Sequence, residues 1–352
     1  MPRRTWMLPQ RVSPLGLSLL TLILPAGTPF SYAQTAIRGA GATFPAPVYS
    51  LWLKSYQALH SNVQIGYDAI GSGGGIRRMF EGGADFGATD GPMSDQQLQS
   101  FKDTHGFELL HFATVLGAAV PAYNVPGNSE LNFTSDILAG IYLGKITKWD
   151  DPLLREANPK AKLPSSAIIV IHRSDGSGTS YVWSDYLSTV NEIWKKQVGR
   201  GFSINWPAGL AARGNDGISE MIARTPDSLG YVELSYALQK HLAYGRVRNS
   251  SGNFINADLA SVGAAGAEAG MGGSDDFRFS ITNPAGKEAY PIASFSWLLV
   301  PAKIPDAAKK QALMDFLKWA LTDGQSLAQQ LVYARIPQAV ASRELGALSR
   351  IQ

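Results

Sequence analysis

The 352-residue chain has no cysteine. That excludes disulfides, thiolate metal sites and a thiol nucleophile, and with them a lipid carried on a cysteine at a processing site. Its 5 histidines, His60, His105, His111, His172 and His241, form no metal-spaced pair of the H-E-x-x-H kind and default to surface or structural roles. No Gly-Lys-Ser/Thr closes a glycine-rich loop at P-loop spacing, and Phe44 stands where a dinucleotide fingerprint beginning at Gly39 and Gly41 would need its third glycine. Ser177 is no nucleophile elbow, because Asp175 and Thr179 occupy the flanking glycine positions. Charged residues are only 17% of the chain. Little is left for bond breaking, so no metal, no cofactor and no catalysis are expected.

The formal charge of +3 comes from 31 basic and 28 acidic residues, and residues 1–33 hold three arginines, Arg3, Arg4 and Arg11, and no acid. The remainder is balanced, which argues against a nucleic-acid-binding surface. The same 1–33 segment reads as a secretory signal. A basic start leads into the apolar run Leu15 to Leu24, and Ser31, Tyr32 and Ala33 form a small-x-small cleavage site. The run is shorter than the roughly 20 residues a membrane helix needs. The expectation is cleavage after about Ala33 and a mature chain in the periplasm.

Hydrophobic residues are 45% of the chain, enough for one large domain or two medium ones. Strand-like and helical runs alternate, which predicts an α/β architecture. Val63, Ile65 and Tyr67 alternate as a strand would. Leu116 to Tyr123 is a near-continuous apolar run, and Ala167 to Ile171 and Ile292 to Val300 are runs suited to buried parallel strands. Helical spacing links Val48, Trp52, Tyr56 and Leu59, then Val182, Tyr186, Val190 and Trp194, then Leu313, Phe316, Leu317 and Ala320, all read as core packing. Pro121 to Ser129 and Gly252 to Gly273 have linker-like composition, the second read as a surface loop.

Gly is abundant, at 36 residues, and clustered. Four segments combine small residues with polar chemistry. Gly39 to Pro45 leads through Thr43, a plausible N-cap, into the helix from Val48, and free N–H groups at such a terminus attract anions. Ile70 to Ile76 carries Ser72 between a strand and a short helix. Asp85 to Asp90 places two carboxylates in a small, apolar run; read alone, Asp90 is as well explained as a turn or helix cap. His172 to Ser180 follows a strand and opens a helix. There Arg173 offers a planar fork of donors, Ser177 and Thr179 offer hydroxyls, and Gly178 allows close backbone approach.

At these residues the chain resembles the phosphate-binding proteins of the high-affinity bacterial ABC phosphate transporter. The matching stretches are GAGATFPAPVY at 39–49, the glycine-rich loop at 71–75, DFGATDGPMS at 85–94, IYLGKITKWDD at 141–151, RSDGSGTS at 173–180, GNDGI at 214–218 and GYVE at 230–233. The resemblance implies a type II periplasmic binding protein: two lobes, each a mixed sheet flanked by helices, with two crossover strands as hinge. Lobe I would comprise 34–120 and 290–352, and lobe II 121–289. The resemblance also implies phosphate contacts at Thr43, Phe44, Ser72, Asp90, Arg173, Ser177, Gly178 and Thr179. Phe44 and Gly178 would act through backbone N–H, Asp90 would be the acceptor, and Asp175 would support Arg173. The implied partners are inorganic phosphate and an inner-membrane ABC permease, with the chain a monomer. Two departures stand out: Gly73 where many members have a second serine, and His172 where some have a second arginine. The rival readings are a binder of another tetrahedral oxyanion, such as arsenate or sulfate, and a secreted phosphatase.

Overall fold

The computed structural model describes Pro2, Met7 and residues 34–352 apart from 128, 270–275 and 277. The leader expected at 1–33 lies outside the described residues, those two positions aside, as does the end of the Gly252 to Gly273 stretch.

In chain order the strands are β1 (Thr35–Gly41), β2 (Val63–Ala69), β3 (Phe86–Thr89), β4 (Leu109–Asn124), β5 (Asn132–Phe133), β6 (Ile169–Arg173), β7 (Leu210–Ala212), β8 (Ser228–Glu233), β9 (Ala243–Tyr244), β10 (Arg246–Arg248), β11 (Phe254–Ile255) and β12 (Ala293–Pro301). The helices are α1 (Ala46–Leu59), α2 (Ser72–Phe80), α3 (Asp95–His105), α4 (Ser135–Tyr142), α5 (Pro152–Ala157), α6 (Gly178–Val190), α7 (Glu192–Gln197), α8 (Gly214–Arg224), α9 (Leu234–Gln239), α10 (Leu259–Ala269), α11 (Ala307–Leu321), α12 (Gly324–Ala328) and α13 (Gln338–Ala347).

The main sheet runs β2-β1-β3-β12-β4-β8-β6-β7. β4 explains how one sheet serves two lobes. Its first part pairs antiparallel with β12 up to Ala118, and from Ala119 onward it pairs antiparallel with β8. β1, β2 and β3 are parallel to one another, as are β6, β7 and β8. β4 is buried along all but its last residue, which fits its near-continuous apolar sequence. The expected two-lobed α/β architecture, with a mixed sheet in each lobe, is therefore present.

Several expectations need correcting. Pro121 to Ser129 is no simple linker, since Pro121 to Asn124 complete β4. The Gly252 to Gly273 stretch is not a plain loop: β11 and α10 fall within it, and Val262 and Ala265 of α10 are fully buried. Alanine-rich composition suits a closely packed helix as well as a loop. The apolar run ending at Val300 is antiparallel to both its neighbours, not parallel. The periodicity from Val182 to Trp194 covers two helices, because Asn191 ends α6 and its side chain caps α7 by accepting from the Trp194 N–H. Leu59 ends α1 exposed rather than in the core. Trp52, Trp183 and Trp194 are fully buried, as core packing requires.

Four helices begin just beyond the carboxyl end of a strand: α1 after β1, α2 after β2, α6 after β6 and α8 after β7. This is where open α/β sheets present helix N-termini to ligands.

One irregularity matters below. The β4–β12 ladder shifts register between Ser296 and Trp297, leaving Thr114 as the extra residue of a bulge. The neighbouring Ala113 N–H donates to Glu344 Oε1 of α13 at 2.6 Å. Burial pushes the Glu344 carboxyl well above its ordinary pKa, against the Ala113 N–H and the charge of Arg343. Glu344→Gln, which keeps the acceptor, should leave the urea midpoint near neutral pH within about 1 kcal/mol of wild type, whereas Glu344→Ala strands a buried N–H and should cost about 2 kcal/mol or more. Equal losses in both variants would show that the acceptor is not what matters.

Candidate anion site

From the first lobe, β1 delivers Thr43, β2 delivers Ser72, and β3 ends just before Asp90. α1 begins at Ala46 with Pro45 at the cap position, so Thr43 is not the side-chain cap expected from its sequence. Its hydroxyl faces the other lobe instead, accepting from the Asn215 N–H at 3.3 Å and from Asn215 Nδ2 at 2.9 Å. The Thr43 carbonyl accepts from the Tyr236 hydroxyl at 2.6 Å. Carbonyl and N–H point oppositely across a trans peptide, so the Phe44 N–H is aimed away from Tyr236. The Phe44 ring is buried against Gly117.

From the second lobe, β6 ends in Arg173. Its Nε and Nη2 donate to the two oxygens of Asp175 at 2.7 and 2.5 Å, a bidentate pair, and Nη1 donates to Thr179 Oγ1 at 3.3 Å. Burial works to raise the Asp175 pKa. The Arg173 hydrogen bonds and charge, with the Gly214 N–H, outweigh it and hold the carboxyl below its ordinary value. Ser177 caps α6 by accepting from the Ser180 N–H at 3.0 Å, which puts Gly178 and Thr179 in the first turn.

The two walls touch. The Gly73 N–H donates to the Gly176 carbonyl at 2.9 Å. Gly71 has φ of 88°, and a side chain there would meet Asp175 Oδ2 at 2.4 Å. A methyl on Gly178 would stand 2.3 Å from both Asp90 Oδ2 and Ser72 Oγ. Gly73 in place of a second serine thus has a physical reason: its Cα packs on Gly176, where an added Cβ would be 3.1 Å from the Gly176 Cα.

The hydroxyls share one property. Thr43 Oγ1 accepts from two Asn215 N–H groups. Thr179 Oγ1 accepts from Arg173 and from Asn215 Nδ2, the latter at 3.0 Å. Ser177 Oγ accepts from Ser180, and Ser72 Oγ accepts from the Asp90 N–H at 3.2 Å. With acceptor positions already taken by protein N–H groups, the O–H protons of Thr43, Thr179 and Ser177 remain to be given. The site is rich in donors and short of acceptors.

Asp90 is the exception. It is 1% exposed. Burial pushes its carboxyl up to about 7, against hydrogen bonds from Ser296 and Ser72 and the charge of Arg173, all of which act to lower it. Ser296 Oγ donates to Oδ1 at 2.6 Å, and Ser72 Oγ lies 3.4 Å from Oδ2. A second buried acid, Glu233, sits at the end of β8. Burial raises it to about 8. The Tyr333 hydroxyl lies 2.6 Å from the Phe44 carbonyl and 2.8 Å from Glu233 Oε2, and its single proton serves only one of them at a time.

The expected site residues Thr43, Ser72, Asp90, Arg173, Asp175, Ser177, Gly178 and Thr179 converge, as does the peptide before Phe44. Asp85 stands apart: it accepts from the Arg38 N–H and pairs with Lys309, tying α11 to the sheet. His172 stacks on Trp206 with ring centroids 5.3 Å apart. Sequence reasoning missed Asn215, Tyr236, Ser294 and Ser296. Asn215 lay in the quoted GNDGI stretch, and the two serines are hydroxyls in an otherwise apolar strand, which was a usable signal.

A two-lobed sheet protein with a donor-lined cleft between its lobes is a solute-binding protein by architecture, and comparison with known proteins agrees. Residues 28–324 match the model of the PBP superfamily domain. The chain is 39% identical over 317 residues to the phosphate-binding protein PstS of Xylella fastidiosa, covering 88% of this chain and 85% of that one. It is 37% identical over 327 residues to PstS of Pasteurella multocida, covering 92% and 93%. Among solved structures, the high-affinity periplasmic phosphate-binding protein PfluDING bound with phosphate superposes with a TM-score of 0.71 at 19% identity, covering 88% of this chain and 92% of that one. The chain belongs to the PstS family of phosphate-binding proteins.

The Asp90 pKa carries a stability consequence. The folded value lies above the unfolded one, so Asp90 supports the fold at low pH and that support is lost as pH rises from about 4 through about 7. Asn is uncharged throughout. In phosphate-free buffer, Asp90→Asn should therefore gain stability over wild type across that window, by on the order of a few kcal/mol in all, and level off above it. Melting curves at several pH values test this; a constant offset between the two proteins would contradict the buried-acid assignment.

Proposed function

We propose that the chain binds inorganic phosphate between its lobes and hands it to an inner-membrane ABC permease for import. The observation that carries the reading is the donor-only cleft facing one buried acid. Its complement is a small anion with many acceptor oxygens and one proton. Phosphate near neutral pH keeps a proton; sulfate does not. Thr43, Ser177 and Thr179 give their hydroxyl protons, and the N–H groups of Phe44 and Gly178 act at the starts of α1 and α6. Ser72 completes the wall beside Asp90, and Arg173 directs its fork with Asp175 holding its other edge. Asp90 accepts a hydrogen bond from the phosphate O–H.

Arg173 is already paired, so the anion is held mainly by hydrogen bonds and not by net charge. Each charge-assisted bond contributes roughly 1.5–3 kcal/mol, and micromolar binding needs about 8 kcal/mol, so the donors present suffice. We take the lobes as 34–120 with 290–352, and 121–289. The change of partners along β4 at Ala118 and Ala119 supports that division. On this reading the chain works in the periplasm as a monomeric carrier without catalysis.

Titration calorimetry on residues 34–352 should give phosphate binding at micromolar or tighter Kd. Heat from sulfate but none from phosphate would sink the reading. Asp90→Asn replaces an acceptor by an amide that can donate, which removes the penalty against a fully ionised ligand. About two pH units above the Asp90 value of about 7, the ratio of phosphate to sulfate affinity should fall by about a hundredfold in that variant, since sulfate must there bind beside an ionised carboxylate or first have it protonated. An unchanged ratio would remove Asp90 from the selectivity mechanism.

A further inference from the structure

β12 directs two hydroxyls at one residue. Ser294 and Ser296 are two apart and so share a face of the strand. Both are buried, at 7% and 0% exposure, in a run otherwise made of apolar side chains. Ser294 Oγ lies 3.1 Å from the Asp90 carbonyl oxygen, and Ser296 Oγ donates to Asp90 Oδ1 at 2.6 Å. We propose that Ser296 is the positioning residue for the Asp90 carboxyl, and that it thereby sets how strongly the cleft prefers protonated phosphate over fully ionised sulfate. This rests on the phosphate reading above and extends it to a residue that lies behind the acid.

Ser296 is itself fixed from behind. It borders the β4–β12 bulge, and the bulged Thr114 donates from Oγ1 to the Ser296 carbonyl at 3.0 Å. Thr114 is pinned in turn: the Tyr49 hydroxyl lies 2.7 Å from its Oγ1, and Gln325 Nε2 donates to its carbonyl at 2.8 Å. The bulge therefore holds a donor against Oδ1 and leaves Oδ2 as the oxygen beside Gly178 and Ser72. A carboxyl anchored this way is biased toward its ionised, accepting form. That form welcomes a ligand proton and repels bare oxyanion oxygens. Without the anchor, Asp90 is protonated more easily and can turn its own O–H toward a ligand, which is what sulfate needs.

Other ionisable groups also face Asp90: Arg173 of β6, Glu233 of β8 and the phenols of Tyr49, Tyr67 and Tyr236. They are the same in wild type and in a Ser296 variant, so a difference between the two isolates the serine. Sulfate is the right probe, because it does not titrate near neutral pH and its affinity profile reports the protein alone.

The test is sulfate calorimetry across neutral pH at constant ionic strength, with phosphate titrated in parallel. Wild type should lose sulfate affinity as pH rises through about 7. In Ser296→Ala that loss should move up by about one pH unit, so that the variant binds sulfate about fivefold more tightly than wild type near pH 8 and about tenfold more tightly near pH 9. Ser296→Thr keeps the hydroxyl on a residue suited to strands and should restore the wild-type profile. Ser296→Cys, a weak donor of similar size, should fall between and carries the test if the alanine variant does not fold. Profiles in the Ala and Cys variants that coincide with wild type, or no gain of sulfate binding in either, would overturn the proposal. If wild type itself fails to bind phosphate, it is the underlying phosphate reading that falls.

Discussion

The constraint on which the rest depends is a buried acid without a free cation. Asp90 sits at 1% exposure, and the nearby Arg173 already gives two donors to Asp175. Isolating a carboxylate from water raises its pKa, and here it rises to about 7. Everything around Asp90 follows from that. The hydroxyls must be donors, because the ligand brings acceptor oxygens. The Thr43 and Thr179 hydroxyl oxygens each accept two protein N–H groups, which leaves them as donors. Asp90 is the buried acid that lies against Ser72 and Gly178 in the site wall.

Such a site needs two rigid walls that meet accurately. β4 supplies this by belonging to both lobes, pairing first with β12 and then with β8. Contacts across the gap are backbone on backbone at Gly73 and Gly176, and amide on hydroxyl between Asn215 and Thr43. Asn215 also reaches Thr179, and its Oδ1 accepts from the Glu233 N–H at 2.9 Å. One side chain thus ties donors from both lobes to the end of β8, near the point where β4 changes partners.

Much of this was legible in the sequence. Periodicity identified β2, α1 and α11, because each buries a regular face, and near-continuous apolar runs identified β4 and β6. The glycine-rich loops marked close approaches: Gly71 and Gly73 lie against the Gly176 backbone, and Gly178 lies against the Asp90 and Ser72 side chains. The resemblance of seven separate stretches carried the two-lobed fold, and composition alone would not have. What was not legible depends on contacts distant in sequence. Asn215 reaches Thr43 across 172 residues, and Ser296 reaches Asp90 across 206. Nothing local in β12 says that its serines face an acid. The alanine-rich α10 was read as loop because its composition resembles a linker, and only its packing against β4 and β12 distinguishes the two. Thr43 was read as a helix cap from residue type, whereas the chain spends its hydroxyl on the opposite lobe.

The most direct test of the central claim is a crystal structure of the chain with phosphate. The account predicts the anion enclosed between the walls, with one phosphate oxygen about 2.5–2.7 Å from Asp90 as a charge-assisted O–H···O bond requires, and with Arg173 still paired to Asp175. Phosphate bound away from Asp90, or an Arg173 that abandons Asp175 to neutralise the anion by charge, would contradict it.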